Sequence, residues 1–219
     1  MPERSRAAYQ AAECLRRLRQ FDDARAEFRR VLRTWPESEE APAAAYALGL
    51  VAEDAGDWAT AEAAYETMRR QFPRHALAVT ALLGQGRARY RQGRFAAALE
   101  DFEQLLERHP DHSEAETAGV LRVWCLYLLG REDAAVEAAR GFAERQPKSE
   151  WTPEILFWLG EQRFNRRQWN EAEQVFASLA AEHSTSPLAD RALYWAGRSA
   201  AAAKEYRRAL EYYGKLAAQ

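Results

Sequence analysis

The sequence is short of the residues that most often carry chemistry or anchor a chain. It has two cysteines, four histidines and only three lysines, Lys148, Lys204 and Lys215, among 219 residues. No stretch approaches the ~20 consecutive apolar residues of a helical membrane span. The first twenty residues, MPERSRAAYQAAECLRRLRQ, lack the apolar core of a secretory leader, so the chain is expected to be cytoplasmic unless a leader lies upstream. The formal net charge of −2 is far from the basic footprint of a bulk nucleic-acid binder. No Gly-Lys-Ser/Thr follows a strand-like run. Gly84-Gln85-Gly86 falls within a helical pattern and is not read as a phosphate loop.

What the chain has is a period. Stepping by 37 residues from Ala98 gives Ala24, Ala61, Ala98, Ala135, Ala172 and Ala209. Phe28, Tyr65, Phe102, Ala139, Phe176 and Tyr213 share a second register. Phe21, Trp58, Phe95, Glu132, Trp169 and Tyr206 share a third. Pro36, Pro73, Pro110 and Pro147, then Ser184, mark a terminator, and Ala12, Gly49, Gly86, Val123, Gly160 and Gly197 form a small-residue register. Repetition at this scale is the mark of a stacked repeat architecture. Each unit reads as two helices, A and B, around a turn such as Gly93-Arg94-Phe95. The small residue in helix A lets helix B approach, and the aromatic one turn after the invariant Ala fills the gap between hairpins. Gly suits the left-handed end of helix A, and Pro ends helix B.

The Ala-x3-aromatic spacing, the Leu48-Gly49 and Leu159-Gly160 pairs and the closing Pro resemble tetratricopeptide repeats (TPR). The helix A aromatic falls one residue late, at Tyr90, Tyr127 and Phe164, and the repeat carries three extra residues after the Pro. This longer form resembles the repeats of the YbgF and BamD families of bacterial envelope proteins. The resemblance implies an all-α fold, a right-handed α-solenoid of about six TPR-like helical hairpins. Their limits are approximately 1–36, 37–73, 74–110, 111–147, 148–184 and 185–219. It is expected to be one array and, because the last helix keeps the internal pattern, to continue beyond the C-terminus or be covered by a partner.

Helix A of the first repeat is expected near residues 4–18 and helix B near 22–34. Pro42, Pro153 and Pro187 are expected in or near the first turns of their helices. The fourth repeat departs most from the others, with Val123, Glu132 and Ala139 in the small and aromatic registers, and a packing change is expected there. Repeat one carries nine arginines against five acids, whereas residues 37–66 hold eight acids and no base. These blocks read as solvated surface, with a charged docking face or end-to-end self-association as the alternative.

Cys14 and Cys125 share one repeat position three repeats apart. Hairpins stacked at the ~10 Å spacing of packed helices put them beyond disulfide reach, and both are read as buried small side chains. The histidines fall at repeat junctions. His109, His112 and Glu114 form a cluster with only half of a metal site, in a loop, so no metal and no cofactor is expected. No nucleophile–base arrangement is present, and the chain is read as not an enzyme.

By resemblance, the concave groove is lined by helix A at three positions per repeat: Tyr46, Leu50 and Glu53; Leu83, Arg87 and Tyr90; Val120, Trp124 and Tyr127; Phe157, Glu161 and Phe164; Tyr194, Arg198 and Ala201. The proposed contacts are Tyr46, Leu50, Arg87, Tyr90, Trp124, Tyr127, Phe157, Glu161, Phe164, Tyr194 and Arg198. Trp158 and Trp195 are read as inter-helix core. The expectation is a non-catalytic scaffold that holds a partner protein or peptide in this groove, with bacterial cell-envelope assembly, periplasmic or at the outer membrane, as the setting the resemblance implies. An alternative rests on Arg191-Ala-Leu-Tyr-Trp-Ala-Gly-Arg198 and the ending Tyr-Tyr-Gly-Lys-Leu-Ala. These are similar to the helical region of soluble lytic transglycosylases, murein hydrolases whose catalytic domain would follow.

Overall fold

The computed structural model describes residues 2–218, and the described residues form twelve α-helices and no strands. In chain order they are α1 (Pro2–Arg17), α2 (Phe21–Thr34), α3 (Glu40–Asp54), α4 (Trp58–Gln71), α5 (Leu77–Arg91), α6 (Phe95–Arg108), α7 (Ala115–Leu128), α8 (Glu132–Arg145), α9 (Thr152–Asn165), α10 (Trp169–Glu182), α11 (Ala189–Ala202) and α12 (Tyr206–Ala217). Odd-numbered helices are the A helices and even-numbered ones the B helices. None is long and apolar enough to cross a membrane.

The A-to-B turn has one geometry throughout. The residue that closes helix A adopts a positive φ in all six copies: Arg19 (61°), Gly56 (74°), Gly93 (73°), Gly130 (71°), Arg167 (61°) and Lys204 (66°). In five of the copies helix A is then closed by a bond from the next amide to a carbonyl five residues back, as in Arg94 N to Arg89 O at 2.9 Å and Gln168 N to Arg163 O at 3.0 Å. This is the Schellman arrangement, which satisfies carbonyls left over at a helix end. The B helices end two residues before the Pro register. Trp35, Phe72, His109 and Gln146 have φ between −138° and −123° and ψ between 55° and 59°, outside the helical region that a following Pro disfavours. His183 has the same shape (φ −121°) although Ser184 follows it.

The B-to-A junction also repeats. The side chains of His75 and His112 accept from the amides of Leu77 and Glu114 through Nδ1, each at 3.2 Å. Ser149 and Ser186 in the same register accept from Trp151 and Leu188 through Oγ, at 3.1 and 3.2 Å. His75 and His112 thus cap backbone. Pro42 and Pro153 fall in the first turns of α3 and α9. Pro187 does not: α11 starts at Ala189, and Pro187 lies in the turn that Ser186 closes.

Packing follows the columns. A Cβ built on Gly49 would lie 2.3 Å from the ring of Tyr65, one on Gly86 2.6 Å from Phe102, one on Gly160 2.6 Å from Phe176, and one on Gly197 2.6 Å from Tyr213. Each B-helix ring is therefore seated directly on the glycine backbone of its A helix. In the first hairpin Ala12 and Phe28 take these roles, both fully buried.

Contacts divide the chain into two compact units, Met1–Leu129 and Gly130–Gln219. The division falls in the turn of the fourth repeat, the copy that departs most from the pattern. In the first unit each helix from α1 to α7 packs on the next, and α3 also packs on α1 and α5. In the second, α8 to α12 pack in sequence.

The basic first repeat and acidic second repeat partly neutralise one another. Arg16 Nη1 meets Asp54 at 2.6 Å, and Arg6 approaches Glu40 at 3.5 Å and Glu39 at 3.8 Å. Glu40 is buried and accepts from Ser5 Oγ at 2.7 Å. Burial of Cys14 is not found. Cys125, like Val51 and Ala88, is buried on the face its helix turns toward the preceding hairpin, whereas no described hairpin precedes α1 and Cys14 is exposed.

Candidate partner-binding face

The three helix A positions differ in what they offer. The first is mostly core. Leu83 (3% exposed), Val120 (6%) and Phe157 (6%) are buried, and Tyr46 is half-buried with its ring centroid 5.4 Å from that of Tyr65. Phe157 is therefore corrected from partner contact to core: its ring packs edge-on against Phe176 at 5.4 Å and is covered by the Arg191 guanidinium at 4.6 Å. The exception is Tyr194, 47% exposed. A straight α-helix turns its i and i+4 positions slightly apart, so the first position tilts toward helix B while the second tilts outward.

The second and third positions form the accessible face. In the first unit, Leu50 and Trp124 are half-buried, Arg87 is exposed, Tyr90 is half-buried against Phe95 at 5.4 Å, and Tyr127 is 41% exposed. In the second unit, Glu161 and Phe164 are half-buried and Arg198 is exposed. Phe164 sits edge-on to both Trp169 (4.7 Å) and Trp195 (5.1 Å). Trp195 stacks on Phe176 at 5.9 Å and belongs to the inter-helix core, as read from the sequence.

Charge on this face is held between successive A helices. Arg87 Nη2 donates to Glu53 Oε2 at 3.3 Å, from α5 to α3. Burial pushes the Glu53 carboxyl up, and Arg87 pulls it back. The Tyr46 hydroxyl is pushed up to about 12, first by burial and then by the Glu53 charge. The Glu161 carboxyl is raised by burial, opposed by Arg191. Arg198 stands among three rings, 4.5 Å from Trp195, 5.4 Å from Phe164 and 5.9 Å from Tyr194. Such contacts are worth roughly 0.5–1 kcal/mol each at exposed sites, and they hold the guanidinium in place without neutralising it. Among the described residues no group of three His, Cys, Asp or Glu side chains could hold a metal.

The family model for the tetratricopeptide repeat matches residues 9–76, 83–150 and 157–219. The chain belongs to the tetratricopeptide repeat family. The three matches begin 74 residues apart, twice the step of 37. Solved structures with the same fold include PilF of Pseudomonas aeruginosa, at TM-score 0.65 and 17% identity over 98% of this chain and 90% of that one. PilW, described as a widely conserved type IV pilus biogenesis factor, matches at TM-score 0.59 and 17% identity, covering 100% of this chain and 94% of its own. The MamA protein matches at TM-score 0.61 and 16% identity, covering 81% and 90%. At these identities the likeness shows the fold alone. No curated protein sequence matches the chain. The comparisons establish the tetratricopeptide family but do not bear out the narrower resemblance to YbgF and BamD. Tetratricopeptide repeat proteins mediate protein–protein interactions.

Proposed function

We propose that this tetratricopeptide protein is a non-catalytic scaffold that binds a partner protein or peptide on the A-helix faces of its units. The observation that carries this is the pair Tyr127 and Tyr194. These large aromatic side chains stay 41% and 47% exposed on A helices, whereas the B-helix rings Phe28, Tyr65, Phe102 and Phe176 are buried. Aromatic residues and arginine are enriched in binding hot spots, and a tyrosine buries large area at small entropic cost. Tyr127 lies with Trp124 and Tyr90 on one unit, and Tyr194 with the preorganised Arg198 on the other. A partner segment lying as a strand or helix along such a face would bring apolar anchors to the rings and an acidic group to Arg198. The setting we propose is assembly in the bacterial cell envelope. The fold shared with PilW and PilF supports that setting.

The experiment is a selection of peptides from a display library against the wild-type chain, repeated with Trp124→Ala/Tyr127→Ala and with Tyr194→Ala/Arg198→Ala. Peptides enriched by the wild type and lost with one of these variants, at unchanged helical circular dichroism, are expected. Equal enrichment by all three chains would remove the reading.

A further inference from the structure

The cavities of both units are one feature repeated: a groove between successive B helices, floored by the A helix between them. One occurrence is chemically different. The groove between α4 and α6, over the first turns of α5, has a volume of about 570 Å³ and is lined by Arg69, Arg74, His75, Gln104, Arg108 and His109. The position of Arg69 is held by Leu32 in the groove between α2 and α4, by Ala143 between α8 and α10, and by Ala180 between α10 and α12. The position of Arg108 is Gln71 in the first of these and Glu182 in the second. The fold is therefore built without a cation at either place, and the two arginines are not a requirement of helix packing.

The charges in this groove are not neutralised. Arg69 Nη1 donates to the amide oxygen of Gln85 at 2.7 Å, and Nη2 to that of Gln104 at 3.4 Å. Both acceptors are uncharged, so they aim the guanidinium and leave its charge in place. Among the described residues no carboxylate lies within ion-pair distance of Arg69, Arg74 or Arg108. The nearby Asp101 carboxylate turns both oxygens to Arg89, at 3.0 and 2.9 Å. Burial is the largest influence on Arg69 and weakens its hold on the proton, and Arg89 and Arg108 add repulsion against the attraction of Asp101 and Glu66. His75 spends Nδ1 as an acceptor for the Leu77 amide, which leaves Nε2–H as its donor. The groove also meets the N-terminus of α5 at Ala76 and Ala78, where the helix dipole favours an anion, although the Leu77, Ala78 and Val79 amides are already bonded within the junction.

We propose that the α4–α6 groove is a binding site for a small polyvalent anion bearing phosphoryl groups. Guanidinium forks match phosphoryl oxygens in pairs, and the volume is in the range of small-molecule pockets. The site is lined by two B helices, a junction and the first turns of α5, and includes none of the A-helix positions proposed to face a partner.

The test is isothermal titration of inorganic pyrophosphate into the full chain at 0.15 M salt. There, screening over about 8 Å leaves mainly direct contacts. The comparison variant is Arg69→Leu/Arg108→Gln, which installs the side chains that Leu32 and Gln71 already supply to the same groove. A second variant, Arg33→Gln/Arg70→Gln, removes the same charge from exposed positions outside the groove. The site predicts saturable binding that weakens at least about tenfold in the first variant and stays within twofold in the second. An equal loss in both variants would reduce the effect to net charge and overturn the site. So would the absence of binding to the wild type. Sedimentation with phosphatidylcholine vesicles, with and without phosphatidic acid, separates sources. Retention by the phosphatidic acid vesicles with no heat from pyrophosphate would overturn the assignment to a free anion.

Discussion

The ring of Tyr65 occupies the space where a side chain on residue 49 would begin: a Cβ on Gly49 would lie 2.3 Å from Tyr65 Cε1. The opposite edge of the same ring closes on Gly84 of the next hairpin, where a Cβ would lie 2.7 Å from Tyr65 Cε2. One tyrosine thus joins two repeats by resting on two glycine backbones, and the close helix approach depends on both.

Gly49→Ala must push the Tyr65 ring out of a fully buried slot. Overpacking of this kind costs about 1–3 kcal/mol, read as a fall in the urea midpoint followed by circular dichroism. Gly214→Ala is the contrast. Its Cβ would meet nothing within 4 Å, and within a helix Ala is favoured over Gly by roughly 0.8–1 kcal/mol. Equal effects of the two substitutions would contradict the packing account.

The left-handed residue of the A-to-B turn predicts opposite signs at equivalent positions. Gly93→Ala is expected to destabilise by about 1 kcal/mol, since a Cβ there meets nothing and only the positive φ is penalised. Arg167→Gly is expected to stabilise by roughly 0.5 kcal/mol, the strain relieved less the entropy glycine loses. Destabilisation by Arg167→Gly would show that its side chain contributes more than its backbone conformation costs.

The pH dependence has one dominant buried carboxyl. Asp101 is raised from 3.8 to about 6, first by burial, with Arg89 opposing. The folded protein then holds this proton more tightly than the unfolded chain, so acid favours the fold. The contribution is full below 3.8 and fades as pH rises through 6. Glu62 acts in the other direction: burial is the largest single influence and raises it, but its bonds to Arg89 and Gln92 with the charges of Arg94 and Arg89 outweigh burial and lower it, so stability is lost only as pH falls below its ordinary 4.5. Between pH 7 and 5 the wild type should gain stability, and Asp101→Asn should show a smaller gain. Identical pH profiles would contradict this assignment.

The junction histidines are expected to be replaceable by serine. His112→Ser should leave stability within about 0.5 kcal/mol, because Ser149 and Ser186 cap the same turn, whereas His112→Ala should cost about 1 kcal/mol as other lost caps do. A rise in melting temperature with added zinc, lost in His112→Ser, would instead indicate a metal role.

The helices, turns and glycine–aromatic seats were legible because each is a column in a periodic sequence, and a column records a local requirement. The left-handed turn was legible only where it was glycine. Arg19, Arg167 and Lys204 adopt it because the hairpin geometry overrides their preference. Phe157 read as surface because a three-residue spacing marks a helix face only to within one residue's rotation. Cys14 read as buried because its column holds mostly small residues, which are buried at Val51, Ala88, Cys125 and Ser199. The cationic groove was missed because Arg69 and Arg108 lie on different helices, although the change from Leu32 to Arg69 in one column was visible.

The measurement that tests the central claim most directly is the dissociation constant of a display-selected peptide for the Trp124→Ala/Tyr127→Ala and Tyr194→Ala/Arg198→Ala chains and for the Arg69→Leu/Arg108→Gln chain. Binding on an A-helix face predicts at least about tenfold weaker affinity in one of the first two, with unchanged helicity, and no change in the third. Wild-type affinity in both A-helix variants would contradict the account.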